Sequence, residues 1–285
     1  MLTKQIINEA VLRALAEDAP WGDVTSEYLI PADSVATASL VAREAGVMAG
    51  AEVFAAAFTL VDNTVNVELG IKDGQAFNKG QVLAQVTGPA RSVLTGERVA
   101  LNFVQRMAGI ATTTAAYVAA VAGTGARIVD TRKTTPGLRA FEKHSVRAGG
   151  GHNHRYSLSD AVMAKDNHLA VLTRGGKDLT AELLRVKSEL GHTTHIEVEV
   201  DRLDQLPAVI AAGVDTIMLD NFTLEDLAKG VSVIAGAAVI EASGGVNLET
   251  VRAIAETGVN VISVGALTHQ IHSLDLGLDL LIDGE

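Results

Sequence analysis

The stretch His195–Asp220, HIEVEVDRLDQLPAVIAAGVDTIMLD, reads as strand, helix, strand. Its ends, HIEVEV (195–200) and TIMLD (216–220), are short, apolar and β-branched, and 202–213 between them carries helical spacing. The same unit recurs on both sides. Upstream lie ARIVD (126–130) and AVMAK (161–165); downstream lie AVIEA (238–242) and VISV (261–264). Helical patterns at 177–190, 223–235 and 247–258 separate most of these runs. Alternating strand and helix implies parallel βα units. Six of them predict an incomplete α/β (TIM-like) barrel, since eight close the usual one. A doubly wound open sheet is the other arrangement, and it would bind its ligand at one switch point. Here every strand ends in a polar or glycine-rich set: DTRK, KDNH, EVD, LDNF, ASGG and SVGALTH. Chemistry spread over all the strand ends favours a ring.

The residues before this repeat have another texture. Residues 3–18 space Ile6, Ile7, Ala10, Val11, Ala14 and Leu15 along one helical face, and Pro20 and Gly22 end the pattern. Strands are expected at 36–43, 46–50, 64–71 and 81–87, and a helix at 51–61. Together these suggest an α+β layer. An Ala-rich helical pattern then covers 91–122, with interruptions expected at Gly96 and Gly109. The reading divides the chain into an N-terminal α+β domain, 1–108, and a barrel, 109–285. The tail, 268–285, is expected to be a short helix that packs back on the first domain.

Composition narrows the chemistry. With no cysteine, disulfides, thiolate metal sites and a thiol nucleophile are excluded. The first residues lack the charged-then-apolar order of a leader, and no apolar run approaches membrane-spanning length, so a cytoplasmic protein is expected. Net charge is −11, yet from Arg127 to His168 eight Lys/Arg stand against four acids. His144, His152, His154 and His168 join this cationic island. An island of that kind in an acidic protein suits a small polyanion and suits a long nucleic acid poorly.

Residue types at the strand ends point the same way. Arg132 offers a planar fork and Lys133 a point charge to carboxylate or phosphate, and Lys165 at its own strand end is aimed at an anion or paired with Asp166. HNH at 152–154 invites a metal, but no third ligand stands at an obvious spacing. Glu197 and Glu199 share one face of a strand, so both need partners if that face is the barrel interior. Glu199 and Asp220, nearest their strand ends, suit Mg²⁺ through water, or ribose hydroxyls. The turns Ser243-Gly244-Gly245 and Gly265-Ala266-Leu267 open helices and can present N–H groups to phosphate. No Asp-Asp pair exists in the chain.

Taken together, EDAPWGDVTS (17–26), ERVALNFVQRMAGIAT (97–112), DTRKTTPGLR (130–139), GGGHNHR (149–155), KDNH (165–168), EVEVD (197–201), LDNF (219–222), EASGG (241–245) and SVGALTH (263–269) resemble the quinolinate phosphoribosyltransferase family over nearly the whole chain. The resemblance implies an N-terminal open-faced sandwich, an incomplete barrel, and a homodimer with active sites shared between subunits. It implies quinolinate contacts from Arg132, Arg155 and Lys165, with Arg98 reaching in from the other subunit and Lys133 and His154 completing the pocket. Glu199 and Asp220 correspond to the ribose and Mg²⁺ side, and Ser243, Gly244 and Gly265 to phosphate contacts. Lys133, Glu199 and Asp220 are the expected catalytic set. The implied substrates are quinolinate and phosphoribosyl pyrophosphate, with no nucleic acid or membrane partner. A molybdenum-transport-associated relative of the same fold, or a non-catalytic anion-sensing barrel, are the competing readings.

Overall fold

The computed structural model describes residues 2–282. In chain order it forms α1 (Lys4–Asp18), α2 (Val24–Leu29), β1 (Val35–Ala42), β2 (Gly46–Val47), α3 (Ala51–Thr59), β3 (Asn66–Leu69), β4 (Ala76–Phe77), β5 (Val82–Pro89) and α4 (Ala90–Ala120). There follow β6 (Arg127–Val129), α5 (Arg139–Ala148), β7 (Ala161–Ala164), α6 (Asp166–Leu172), α7 (Leu179–Glu189), β8 (His195–Val200), α8 (Leu206–Ala211), β9 (Thr216–Asp220), α9 (Leu224–Ile234), β10 (Val239–Ser243), α10 (Val251–Glu256), β11 (Val261–Ser263), α11 (Ala266–His269) and β12 (Leu276–Ile282). Two compact units share these elements. One holds the described residues up to Ala115, then Thr135–Gly150, then those from Gln270 onward; the other holds Ala116–Thr134 and Gly151–His269.

In the first unit, side-chain caps set the helix starts. Thr3 accepts the Ile6 N–H and Asp23 accepts the Ser26 N–H. Ile7 and Val11, one turn apart, are the buried stripe of α1. A four-stranded antiparallel sheet has the order β12-β1-β5-β3. Along β1, Ala36, Ala38, Leu40 and Ala42 are buried and alternate with the partly exposed Thr37, Ser39 and Val41. Ala38, Leu40 and Ala42 join one core with Val11, Phe54, Phe58 and Val104 from three helices. On the opposite face Thr37 and Thr87 meet at 3.5 Å in an exposed pair, so one side of the sheet stays open.

Three expectations for this unit are corrected. The strand expected over 46–50 is confined to Gly46–Val47, because Gly50, at φ +93°, turns the chain into α3. The long helix is continuous through Gly96 and Gly109, which serve as points of close approach instead of breaks. A Cβ at Gly96 would press on Phe58 and the Ala57 carbonyl, and one at Gly109 would collide with the His272 carbonyl oxygen. The tail is a strand, not a helix: β12 pairs antiparallel with β1, from Ala42↔Leu276 to Ala36↔Ile282. Leu276, Leu278 and Leu280 recur every second residue and lie against the core, a period that belongs to a strand.

The second unit is a six-stranded parallel sheet of order β6-β11-β10-β9-β8-β7. From β7 to β11 each strand lies beside its successor, and β6, the first, lies beside β11, the last. The order is therefore cyclic with one gap, between β6 and β7, and has no reversal of the kind a doubly wound sheet requires. All six strands expected from the sequence are present, within two residues at each end. Among the described residues no helix is long and apolar enough to cross a membrane.

The contact at Gly109 can be tested. Gly109→Ala should lower stability by about 1–3 kcal/mol, the usual cost of forcing a methyl into a filled site. Gly191→Ala, whose new methyl meets only Thr194 Oγ1 at 3.7 Å, is the control. Urea unfolding followed by circular dichroism measures both, and equal midpoints would remove the packing role of Gly109.

Candidate active site

Register decides which side chains meet. Met163 on β7 pairs with Glu197, Glu199 with Met218, Met218 with Glu241, and Asp220 with Ser243. In-register neighbours share a face, and faces alternate along each strand. One face of the sheet therefore carries Glu197, Glu199, Asp220, Glu241, Ser243 and Ser263. The other carries Ile196, Val198, Ile217, Leu219, Ile240 and Ile262, all buried. A parallel sheet ordinarily has two apolar faces. The polar face here is the interior of the open ring, and its carboxylates must find partners there.

They find them on the loops. At the end of β7, Lys165 forms an ion pair with Glu199. The backbone of Lys165 is fixed at the start of α6, where its N–H is donated to His168 Nδ1 at 3.0 Å. Glu197, only 4 % exposed, lies 3.0 Å from His154 Nε2, and Glu241, 3 % exposed, lies 3.6 Å from the same nitrogen. His154 Nδ1 accepts the Arg155 N–H at 2.7 Å. An accepting Nδ1 carries no proton, so the ring proton sits on Nε2 and points at the two acids.

Asp130 holds this loop. It is fully buried at the end of β6 and accepts Asn153 Nδ2 at 2.6 Å and the His154 N–H at 2.8 Å. A single parallel bridge, Val129↔His152, lays the loop alongside the strand. Arg155 Nη1 donates to the Ala161 carbonyl at 2.9 Å. Burial, and then the nearby charge of Arg132, lower the Arg155 pKa from its usual value. Arg132 Nε is buried with no hydrogen-bond partner. Two guanidinium groups held within electrostatic reach of each other form a place where an anion relieves repulsion.

The β9 and β10 ends are locked together. Asn221, at φ +58°, donates Nδ2 to Asp220 Oδ2 at 2.7 Å and its N–H to the Ser243 carbonyl at 2.9 Å. Gly244, at φ +91°, has no room for a Cβ, because Asn221 Oδ1 fills that space. Beyond β11, the Thr268 hydroxyl donates to the Lys133 carbonyl at 2.6 Å, and a Cβ at Gly265 would meet the Lys133 side chain at 3.2 Å. Lys133 itself is exposed.

Arg132, Lys133, His154, Arg155, Lys165, Glu199, Asp220, Ser243, Gly244 and Gly265 thus all occur at strand ends or adjoining loops of the second unit. Arg98 is exposed on α4, in the first unit. The cationic island is divided. Its 135–150 portion belongs to the first unit, where buried Glu142 accepts Arg106 Nη2 at 2.6 Å and His144 Nε2 lies 2.6 Å from Asp73 Oδ2. Sequence reasoning left Asp130, Asn221 and Glu241 without roles. For each the signal was a polar residue in or just past an apolar run, as in IVD, LDN and VIEA.

Comparison with known proteins identifies the family. The profile described as "Quinolinate phosphoribosyl transferase, N-terminal domain" matches residues 23–108, and the corresponding C-terminal domain matches 110–279. The chain is 43 % identical over 281 residues to a nicotinate-nucleotide pyrophosphorylase [carboxylating] of Mycobacterium leprae, covering 95 % of this chain and 96 % of that one. Its structure superposes on NadC from Streptococcus pyogenes with a TM-score of 0.94 at 40 % identity, covering 99 % of both chains. The nicotinate-nucleotide pyrophosphorylase of Francisella tularensis gives 0.92 at 35 % identity, over 99 % of this chain and 98 % of that one. With both domains matched in order over nearly the whole chain, the chain belongs to the quinolinate phosphoribosyltransferase family.

Proposed function

We propose that this protein joins quinolinate to phosphoribosyl pyrophosphate, giving nicotinate mononucleotide, pyrophosphate and CO₂ in the synthesis of NAD. The observation that carries the reading is the pair Arg132 and Arg155, two cations held close together with Arg132 Nε buried and unpartnered. Lys165 and Lys133 add charge at neighbouring strand ends. A dicarboxylate supplies what such a pocket lacks. On binding it competes with Glu199 for Lys165, which frees Glu199 for the ribose side.

The chain needs no nucleophile of its own. The pyridine nitrogen attacks ribose C1, and pyrophosphate departs. N-ribosylation makes the ring cationic, so it stabilises the electron pair left on C2 when the C2 carboxylate leaves as CO₂, and C2 then takes a proton from solvent. The protein's part is to position two anions and to balance charge as it moves. Glu199 and Asp220 fit Mg²⁺: both are partly exposed oxygen donors, and two carboxylates leave the remaining positions to water and substrate oxygens. The chemistry such an ion supplies is neutralisation of the departing pyrophosphate. Asn221 keeps the Asp220 carboxylate oriented for either partner. The Ser243-Gly244 and Gly265 turns offer backbone donors to the 5′-phosphate.

The direct test is formation of nicotinate mononucleotide from quinolinate, with Mg²⁺ and with chelator. We expect turnover only with the metal, and none when nicotinate replaces quinolinate. Lys165→Ala and Arg155→Ala should each lower kcat/KM for quinolinate about 10- to 150-fold, the loss of one charge-assisted contact worth about 1.5–3 kcal/mol. Anion binding without turnover would establish a sensing barrel instead. Near-native kcat/KM in both variants would move the pocket elsewhere.

The active unit in this proposal is a homodimer, located in the cytoplasm. An apolar patch supports the dimer: Trp21 is 92 % and Tyr28 83 % exposed, and Val24 and Leu29 beside them are exposed too. In the two-fold assembly Arg98 of one chain completes the pocket of the other. Arg98→Ala and Lys165→Ala should each be nearly inactive alone. A mixed dimer then has one intact site of two. With random exchange about half of all dimers are mixed, so co-expression should restore roughly a quarter of wild-type activity. Differently tagged chains verify the exchange, and verified mixed dimers without recovered activity would exclude the shared site.

A further inference from the structure

The second unit buries Asp130, Glu197 and Glu241, carboxylates that the proposed reaction does not use. Glu241 sits on β10, on the ring-interior face, 3 % exposed and 3.6 Å from His154 Nε2. Its Oε1 has no hydrogen-bond partner, and neither has Oε1 of Glu197. The nearest oxygens of the two acids and the His154 nitrogen all lie within 4.8 Å of one another. His154 cannot serve both acids equally. Its single ring proton points at Glu197, at 3.0 Å, because Nδ1 is occupied by the Arg155 N–H. Glu197 in turn acts electrostatically on Arg155. Glu241 is left as the acid with the weaker donor.

The groups that act on Glu241 come from several elements: Glu197 from β8, His154 from the loop held by Asp130, and Lys165 from the end of β7. The Ser263 hydroxyl faces it from β11 and also favours its charged form, and its in-register neighbours, Met218 on β9 and Val261 on β11, are apolar. Burial, and then the negative charge of Glu197, raise its pKa to about 7, with His154 and Lys165 acting the other way. Below that pH Glu241 is uncharged and Glu197 is the counter-charge to Arg155. Above it, two negative charges lie beneath the arginines.

We propose that Glu241 is a positioning residue of the anion pocket: uncharged, it leaves Glu197 and His154 to hold the Arg155 loop, and ionised, it weakens the pocket's grip on a dicarboxylate. The proposal rests on the quinolinate reading for its substrate but not for its electrostatics. In the protein the consequence is an alkaline limit on substrate binding set from the ring interior, by a residue that does not touch substrate.

Two measurements test it. The first is the KM for quinolinate from pH 6 to 9 in wild type and in Glu241→Gln. Wild-type KM should rise about tenfold as pH passes 7, the loss expected when one negative charge is added near an anion site. Glu241→Gln should show a flat KM with kcat close to wild type. A variant that keeps the wild-type rise overturns the proposal. The second is carboxyl-carbon NMR of the ¹³C-labelled full-length protein without substrate, with the Glu241 signal assigned. Titration of that signal between pH 6 and 8 is expected, and a carboxylate already ionised at pH 6 overturns the proposal even if the variant does not fold. A protein whose Glu241 titrates there but makes no nicotinate mononucleotide would keep the electrostatics and refute the enzyme reading instead.

Discussion

A carboxylate inside a parallel sheet must be matched by a cation, share a proton, or lose its charge, because low-dielectric surroundings penalise an isolated ion severely. The second unit places Glu197, Glu199 and Glu241 on the interior face of six parallel strands, and much else follows from accommodating them. Lys165 reaches back from its strand end to Glu199. His154 turns Nε2 toward Glu197 and Glu241. Asp130 then has to be buried as well, to clamp the loop that carries His154. The result is a stack of charges in which each member is held by another, opening at the strand ends where the arginines lie. Such pre-set electrostatics suit a reaction in which two polyanions meet and negative charge departs.

Much of this was legible in the sequence, for identifiable reasons. β-branched runs of four to six residues separated by helical spacing located six strands, because burial on both sides of a parallel strand leaves little compositional freedom. Glu197 and Glu199 stood out because the i, i+2 period on a strand is strict. The partner of Glu197 was not legible. His154 lies 43 positions earlier and reaches the acid only because Asp130 ties the loop to β6. Glu241 was hidden inside an apolar run, where it reads as a strand residue until β10 is set beside its neighbours. In the first unit, Gly96 and Gly109 looked like breaks because helix propensity penalises glycine. Their use as points of close approach depends on Phe58 and His272, which no local pattern reveals. The tail was misread for another reason: its leucines alternate, but their strand partner, β1, is more than two hundred residues away.

The cationic island illustrates how composition can be right in sum and wrong in assignment. Its excess of positive charge is real, yet residues 135–150 serve the packing of the first unit, where a buried Glu142 needs Arg106. The portions on either side carry the residues at the strand ends. Net charge alone would have assigned all eight cations to one ligand.

The position of β12 bears on how the chain is made. A strand drawn from residues 276–282 fills one edge of the sheet that begins at Val35, so the first unit is finished by a segment that follows most of the second. Residues 151–269, most of the other unit, leave the ribosome before that strand exists. Until then β1 has β5 on one side and an unfilled row of backbone donors and acceptors on the other, the kind of edge that recruits foreign strands. During translation the second unit can therefore be completed before the first, and the edge of β1 stays unfilled until residues 276–282 arrive.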